Sequence, residues 1–243
     1  MKQIIISALL LISFSCTALQ QTAGTFPSSA NNQQSQIAEG LKQALTIGTQ
    51  NSTNKLSAVD GFFADAAIKI LMPPEAQNVE KTLRQFGLGS LVDKTILSLN
   101  RAAEDAAKSA TPIFVDAIKQ MTISDALGIL QGGDFAATNY FKEKTTASLT
   151  AAFSPVISKS LDKVDATKYW SDLFTTYNKF AAKKVPTDLN AYVTQKAIDG
   201  IFYEVGLEEQ KIRKDPAARV TDLLKTVFGG NDTNPKKKGK KNF

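Results

Sequence analysis

Apolar residues recur at three- and four-residue spacing along most of the chain, and β-branched alternation is scarce, so the pattern predicts helices. From Ile37 to about Leu56 the stripe runs Ile37, Leu41, Ala44, Leu45, Gly48, and its small members allow close approach of another helix. Asp60 to Leu71 is less regular, and Ile68 to Leu71 reads as a short extended piece before Met72-Pro73-Pro74. Pro74 suits the first turn of a helix ending near Phe86, with a break at Gly87 and Gly89. Ser90 is the expected cap of the next helix, whose apolar face is Leu91, Val92, Ile96, Leu99, Ala102 and Ala103. Thr111-Pro112 restarts the chain ahead of the stripe Ile113, Phe114, Ala117, Ile118, Met121.

A short helix is expected from Ser124 to Gln131, stopped by Gly132-Gly133. Asp134 is the expected cap of a helix from Phe135 to Phe153, and Ser154-Pro155 is read as a new cap and first turn. Further helices are expected after Asp165, from Thr187 or Asp188 to about Lys214, and from Asp215-Pro216 to Gly229-Gly230. The sum is an all-α, single compact domain of roughly nine to eleven helices over residues 36–230. No fixed-period repeat is present, so a solenoid is not expected.

The N-terminus follows a different logic. Met1-Lys2-Gln3 precedes a nine-residue stretch, Ile4 to Ile12, that is apolar apart from Ser7 and far below the ~20 residues of a membrane span. Ser13-Phe14-Ser15 places small residues three and one before Cys16, so residues 1–15 read as a secretory signal peptide. Cleavage after Ser15 leaves either an ordinary secreted chain or a lipidated Cys16 that anchors the protein to a membrane. Ser13 stands where a lipidation motif usually has Leu, but a lone Cys at this spot has few other uses. Residues 16–35, rich in Thr, Ala, Gln, Ser and Asn, read as a flexible tether, and residues 231–243 as a disordered Lys-rich tail.

Composition narrows the chemistry. There is no His, and Cys16 is the single Cys. Imidazole- and thiol-based catalysis is therefore closed to the folded region, as are the usual zinc, haem and iron–sulfur sites. No phosphate-binding glycine loop or calcium loop appears, and no cofactor is expected. The net charge of +6 is carried by the ends: residues 17–230 hold 23 basic and 22 acidic side chains. That balance argues against specific nucleic-acid binding.

Three constellations remain as site candidates. Tyr169, Trp170, Leu173, Phe174, Tyr177 and Phe180 fall within one helical arc of about 140°. They form a core stripe, or Trp170 and Tyr177 face an apolar or amphiphilic ligand. After Asp188, an apolar arc through Val193, Ala197, Ile201 and Val205 also takes in Glu208, with Glu209 at its edge, if the helix continues past Gly206. A carboxylate there needs a partner, for which Arg213, Arg101 and Arg84 are candidates. It is either a structural ion pair, the polar anchor of a ligand site, or a general acid–base carboxylate. Asp116, Lys119 and Gln120 share a polar face, Asn100 sits at the edge of an apolar one, and Gln195 and Asp199 lie one turn apart. Each is either a solvated face or part of a polar site for a small hydroxylated or charged molecule.

Several strings also point to a family: Phe114 to Thr122; Gly132-Gly133-Asp134 with Ala137-Thr138 and Tyr140-Phe141; Tyr192 to Gly200; and Glu208-Glu209 through Ile212 to Ala218. In this order they resemble the bacterial domain-of-unknown-function family numbered 4197, over about residues 35–229. The resemblance implies an exported, helical protein with no assigned activity, and supplies no catalytic positions. The resulting expectation is a non-catalytic, lipid-anchored binding or interaction module of the cell envelope with an unidentified small-molecule or protein ligand. A hydrolase using carboxylates alone, such as a glycoside-cleaving enzyme, is the alternative and needs two carboxylates about 5–10 Å apart in a cleft. A purely structural scaffold would instead show a large exposed apolar patch.

Overall fold

A computed structural model describes residues 29–163, 167, 170, 174, 175, 178, 179, 184, 188–215, 222 and 225. These residues hold seven α-helices: α1 Ser29–Ser57, α2 Gln77–Gln85, α3 Gly89–Ala107, α4 Ala110–Gln120, α5 Ile123–Gln131, α6 Ala136–Asp162 and α7 Leu189–Lys214. A 3₁₀ turn, Pro74–Ala76, leads into α2. The protein is an all-α single compact domain, with no strand among the described residues. Among them no helix is long and apolar enough to cross a membrane.

The helix count is seven among the described residues, below the expected nine to eleven, for one structural reason and because two of the expected helices lie mainly outside those residues. Residues 58–73 form turns and then a non-helical stretch, where the irregular pattern led to no expected helix. Ser154-Pro155 does not restart the chain, because Pro155 lies inside α6. Proline in a helix interior costs about 3 kcal/mol. Here Pro155 is exposed, as is Ala151, whose carbonyl loses its partner to solvent. The buried stripe Phe141, Thr145, Leu149, Phe153, Ile157, Leu161 runs unbroken past it and outweighs the loss. The helices expected after Asp165 and Asp215 lie mainly outside the described residues. At the other end, α1 starts at Ser29, inside the expected tether, since no Gly or Pro interrupts the chain between Pro27 and Gly40.

Long helices α6 and α7 pack on each other; α3 touches both, and α1 crosses α7, α4 and α5. Phe114, Phe141 and Phe202 meet edge-to-face at this junction, with ring centroids 5.2 and 6.2 Å apart. Leu91, expected on the apolar face of α3, is exposed, along with Phe86 and Leu88 at the α2–α3 corner. Nor does Ser90 cap α3, whose N-cap position is Leu88.

The crossing from α1 to α2 depends on close approach. At Gly61 a Cβ would lie 2.3 Å from the Lys55 carbonyl, and at Gly200 one would lie 2.5 Å from the ring of fully buried Phe62. Asn100 fixes the extended part. Its Oδ1 accepts from the Ile70 N–H at 2.8 Å, and its Nδ2 donates to Ile70 O and Ile96 O at 2.8 and 2.7 Å. Asn100 is wholly buried, so it acts as the backbone partner Ile70 would have in a sheet. Asn100→Ala would orphan both groups. We expect it to cost about 2–4 kcal/mol in urea unfolding, with Asn100→Asp, which keeps only the acceptor, in between; a loss below about 0.5 kcal/mol would disprove this pinning role.

Candidate functional site

Helix α7 continues through Gly206, so both acids near its end can be placed. The deeply buried one is Glu209, not Glu208. Glu208 is half-buried against α1, accepting from Asn51 Nδ2 at 3.1 Å with Lys211 at 3.4 Å. Glu209 faces the start of α6. Its Oε1 accepts from the Ala137 N–H at 2.9 Å, and its Oε2 from the Thr138 N–H and hydroxyl at 2.8 and 2.7 Å. Arg213 donates to the same Oε1 from Nε and Nη2, at 3.0 and 2.8 Å. It also reaches the last carbonyls of α5, Ile129 O at 2.7 Å and Leu130 O at 3.4 Å.

One ion pair on α7 thus caps two other helices, each with the charge its dipole favours. Asp134, the expected cap of α6, instead pairs with Lys214 at 2.6 Å, which holds its carboxyl below the usual range. The space beside Glu209 and Arg213 is about 10 Å³, room for one water at most and not for a ligand.

The other expected residues are dispersed. Asn100 is consumed by Ile70, as above. Trp170 is buried against Phe174, with ring centroids 4.4 Å apart. Tyr177 and Cys16 lie outside the described residues. Asp116 and Lys119 are exposed and form an ion pair one turn apart on α4, at 3.5 Å. Glu208, Arg213, Asn100 and Asp116 therefore do not converge on one cavity.

Asp116 does line a cleft of about 470 Å³ between α4, α5 and α6. Ile113 and Ala117 form its apolar floor; Asp116 and Gln120 stand on one wall, and Tyr140, Lys144 and Ser148 on the other. The walls exist because residues one helical turn apart share a face on two adjacent helices. Asp125 closes one end. It forms a capping box with Thr122, accepting from its N–H at 2.9 Å and its hydroxyl at 2.7 Å. Those two donors hold the Asp125 carboxyl below the usual range, so it is ionised at neutral pH. Tyr140 is half-buried, and burial, with Asp125 nearby, pushes its phenol up. Its hydroxyl has no hydrogen-bond partner among the described residues, whereas Thr145 donates back to Phe141 O at 2.6 Å. Lys144 pairs with Glu143 at 3.0 Å and lies 5.8 Å from the Tyr140 ring centroid.

Tyr140, Lys144, Ser148 and Asp125 were not singled out by sequence pattern. The usable signal was a polar stripe at four-residue spacing on α6, but it gains meaning only once α4 is known to face it. No group of three acidic, Cys or His side chains able to hold a metal occurs among the described residues.

Fold and cleft together define an all-helical domain with a polar groove between α4, α5 and α6. The chain belongs to DUF4197, a protein family of unknown function, whose profile matches residues 31–229. No curated protein and no solved structure matches it.

If Glu209 and Arg213 cap two helices together, Glu209→Ala and Arg213→Ala should each cost about 3–5 kcal/mol. The double variant should cost clearly less than their sum, by at least about 1.5 kcal/mol in urea unfolding; additive losses would refute a shared role.

Proposed function

We propose that this protein is a non-catalytic binding module of the bacterial cell envelope, tethered through a lipidated Cys16, that holds a small hydroxylated or amine-bearing molecule between α4 and α6. The supporting observation is the half-buried, unpartnered Tyr140 hydroxyl, set beside Asp116 and the ionised Asp125 in a cleft of ligand size. Carboxylates accept from hydroxyl or ammonium groups of a ligand. The phenol both donates and accepts, and Gln120 and Ser148 offer further polar contacts. Ile113 and Ala117 supply an apolar surface for the carbon face of such a molecule.

Two carboxylates in one cleft also favour a second reading, a carboxylate-only hydrolase. That chemistry needs one carboxyl held protonated as general acid. Asp125, held low by Thr122, suits only the ionised role, and the other acid, Asp116, is exposed on α4 and lacks the apolar surroundings a general acid needs. The binding reading is therefore preferred.

The tether is tested by fractionation. Cys16→Ser should move the protein from the membrane to the soluble fraction; unchanged partition would refute the anchor. The cleft is tested by calorimetry with glucosamine and glucose as probes. Asp116→Asn, which gives up only an exposed ion pair with Lys119, and Tyr140→Phe should each weaken the better probe about five- to tenfold. Failure of both probes to bind, or wild-type affinity in both variants, would overturn the assignment.

A further inference from the structure

A second cleft, of about 400 Å³, lies on a different face, between residues 67–77 and helix α7. Asn100 takes both backbone groups of Ile70. In extended chain, neighbouring residues turn their backbone groups to opposite sides. Those of Leu71 therefore point toward α7. There the Tyr192 hydroxyl donates to Leu71 O at 3.0 Å, and burial pushes the Tyr192 phenol up to about 12, so it remains a donor. The Leu71 N–H has no partner among the described residues.

Around this free amide the cleft is apolar below and polar on one side. Ile68, Ile70 and Met72 are buried in its floor. Leu71 and Tyr203 flank it and are 53% and 43% exposed. Lys196, one turn after Tyr192, lines the cleft together with Asp199 and Lys69. It pairs only loosely with Asp199, at 3.7 Å between exposed groups, and Gln195 also holds Asp199, at 2.9 Å. A free N–H and a weakly engaged ammonium beside an aliphatic floor match an anion with an apolar body.

We propose that this cleft binds the carboxylate of an aliphatic acid. The head group accepts from the Leu71 N–H and Lys196, and the chain lies over Ile70 and Met72 between Leu71 and Tyr203. The site is independent of the α4–α6 cleft and of the tether.

The probe is n-decanoate below its micellar concentration, with 1-decanol as the uncharged control, measured by calorimetry on the mature wild-type chain. Decanoate should bind saturably at one site, about tenfold tighter than decanol. Lys196→Ala should remove most of that preference while leaving decanol unchanged, and Tyr203→Ala should weaken both. Leu71→Pro, which deletes the amide, should weaken decanoate relative to Leu71→Ala, which keeps it; Lys196→Ala carries the test if Leu71→Pro does not fold. Asp116→Asn should bind decanoate like wild type. Absence of saturable binding, or equal affinity for decanoate and decanol, would overturn the proposal.

Discussion

The fold depends on buried side chains that take the place of missing backbone partners. Three sit on the central helices α3 and α7. Asn100 binds both main-chain groups of Ile70, and Glu104 accepts from the amides of Phe62 and Phe63 at 3.2 and 3.3 Å. Glu209 accepts from the first amides of α6. Each of these amides would otherwise be an orphaned donor in the interior, a cost larger than the net worth of an ordinary hydrogen bond. Both acids also need a cation. Arg101 serves Glu104 at 2.6 Å and reaches Asp60 at 2.7 Å, while Arg213 serves Glu209. Among the described residues the one buried side-chain polar atom without a partner is Thr167 Oγ1.

How much of this was legible in the sequence follows from the range of the interactions. Helices were legible because a 3.6-residue apolar stripe is local, and so were boundaries set nearby: Asp188 caps α7 through the Ala191 N–H at 2.8 Å, and α5 ends at Gly132. The start of α6 was not. Its nearest polar residue, Asp134, fitted the rule for a cap, but the amides are met by Glu209 from far along the chain. The same cause shifted the buried acid by one residue. The arc of α7 took in Glu208 and left Glu209 at its edge, but the identity of the neighbouring helix decides between them: α1 receives Glu208 and α6 receives Glu209. Pro155 misled for the converse reason, since its local penalty is outweighed by contacts on the far side of α6.

The candidate cleft was half legible. Asp116 and Gln120 stood out as a polar face on a predicted helix, and both line it. Lys119, from the same face, lies instead beside Glu39 and Lys42 of α1. Periodicity assigns residues to faces but does not say which helix each face meets. Tyr140 and Asp125 could not be recognised for that reason: a tyrosine near an apolar stripe reads as core, and an acid three residues after a threonine reads as a cap. Asp125 is in fact a cap, and because it is a cap its carboxylate is fixed and ionised at the end of the groove.

These two levels are linked through α6. Tyr140 lies one turn beyond the amides that Glu209 holds, and its ring rests edge-on against Phe141, with centroids 5.9 Å apart, while Phe141 is locked to Phe114 of α4. The Glu209–Arg213 pair therefore sets the position and rotation of the α6 wall, and the phenylalanine cluster sets its distance from the α4 wall. A ligand entering there meets groups already in place, so little of its binding energy is lost to ordering the protein. The charged groups least able to act on a ligand directly are thus the ones that give the exposed polar groups a fixed geometry.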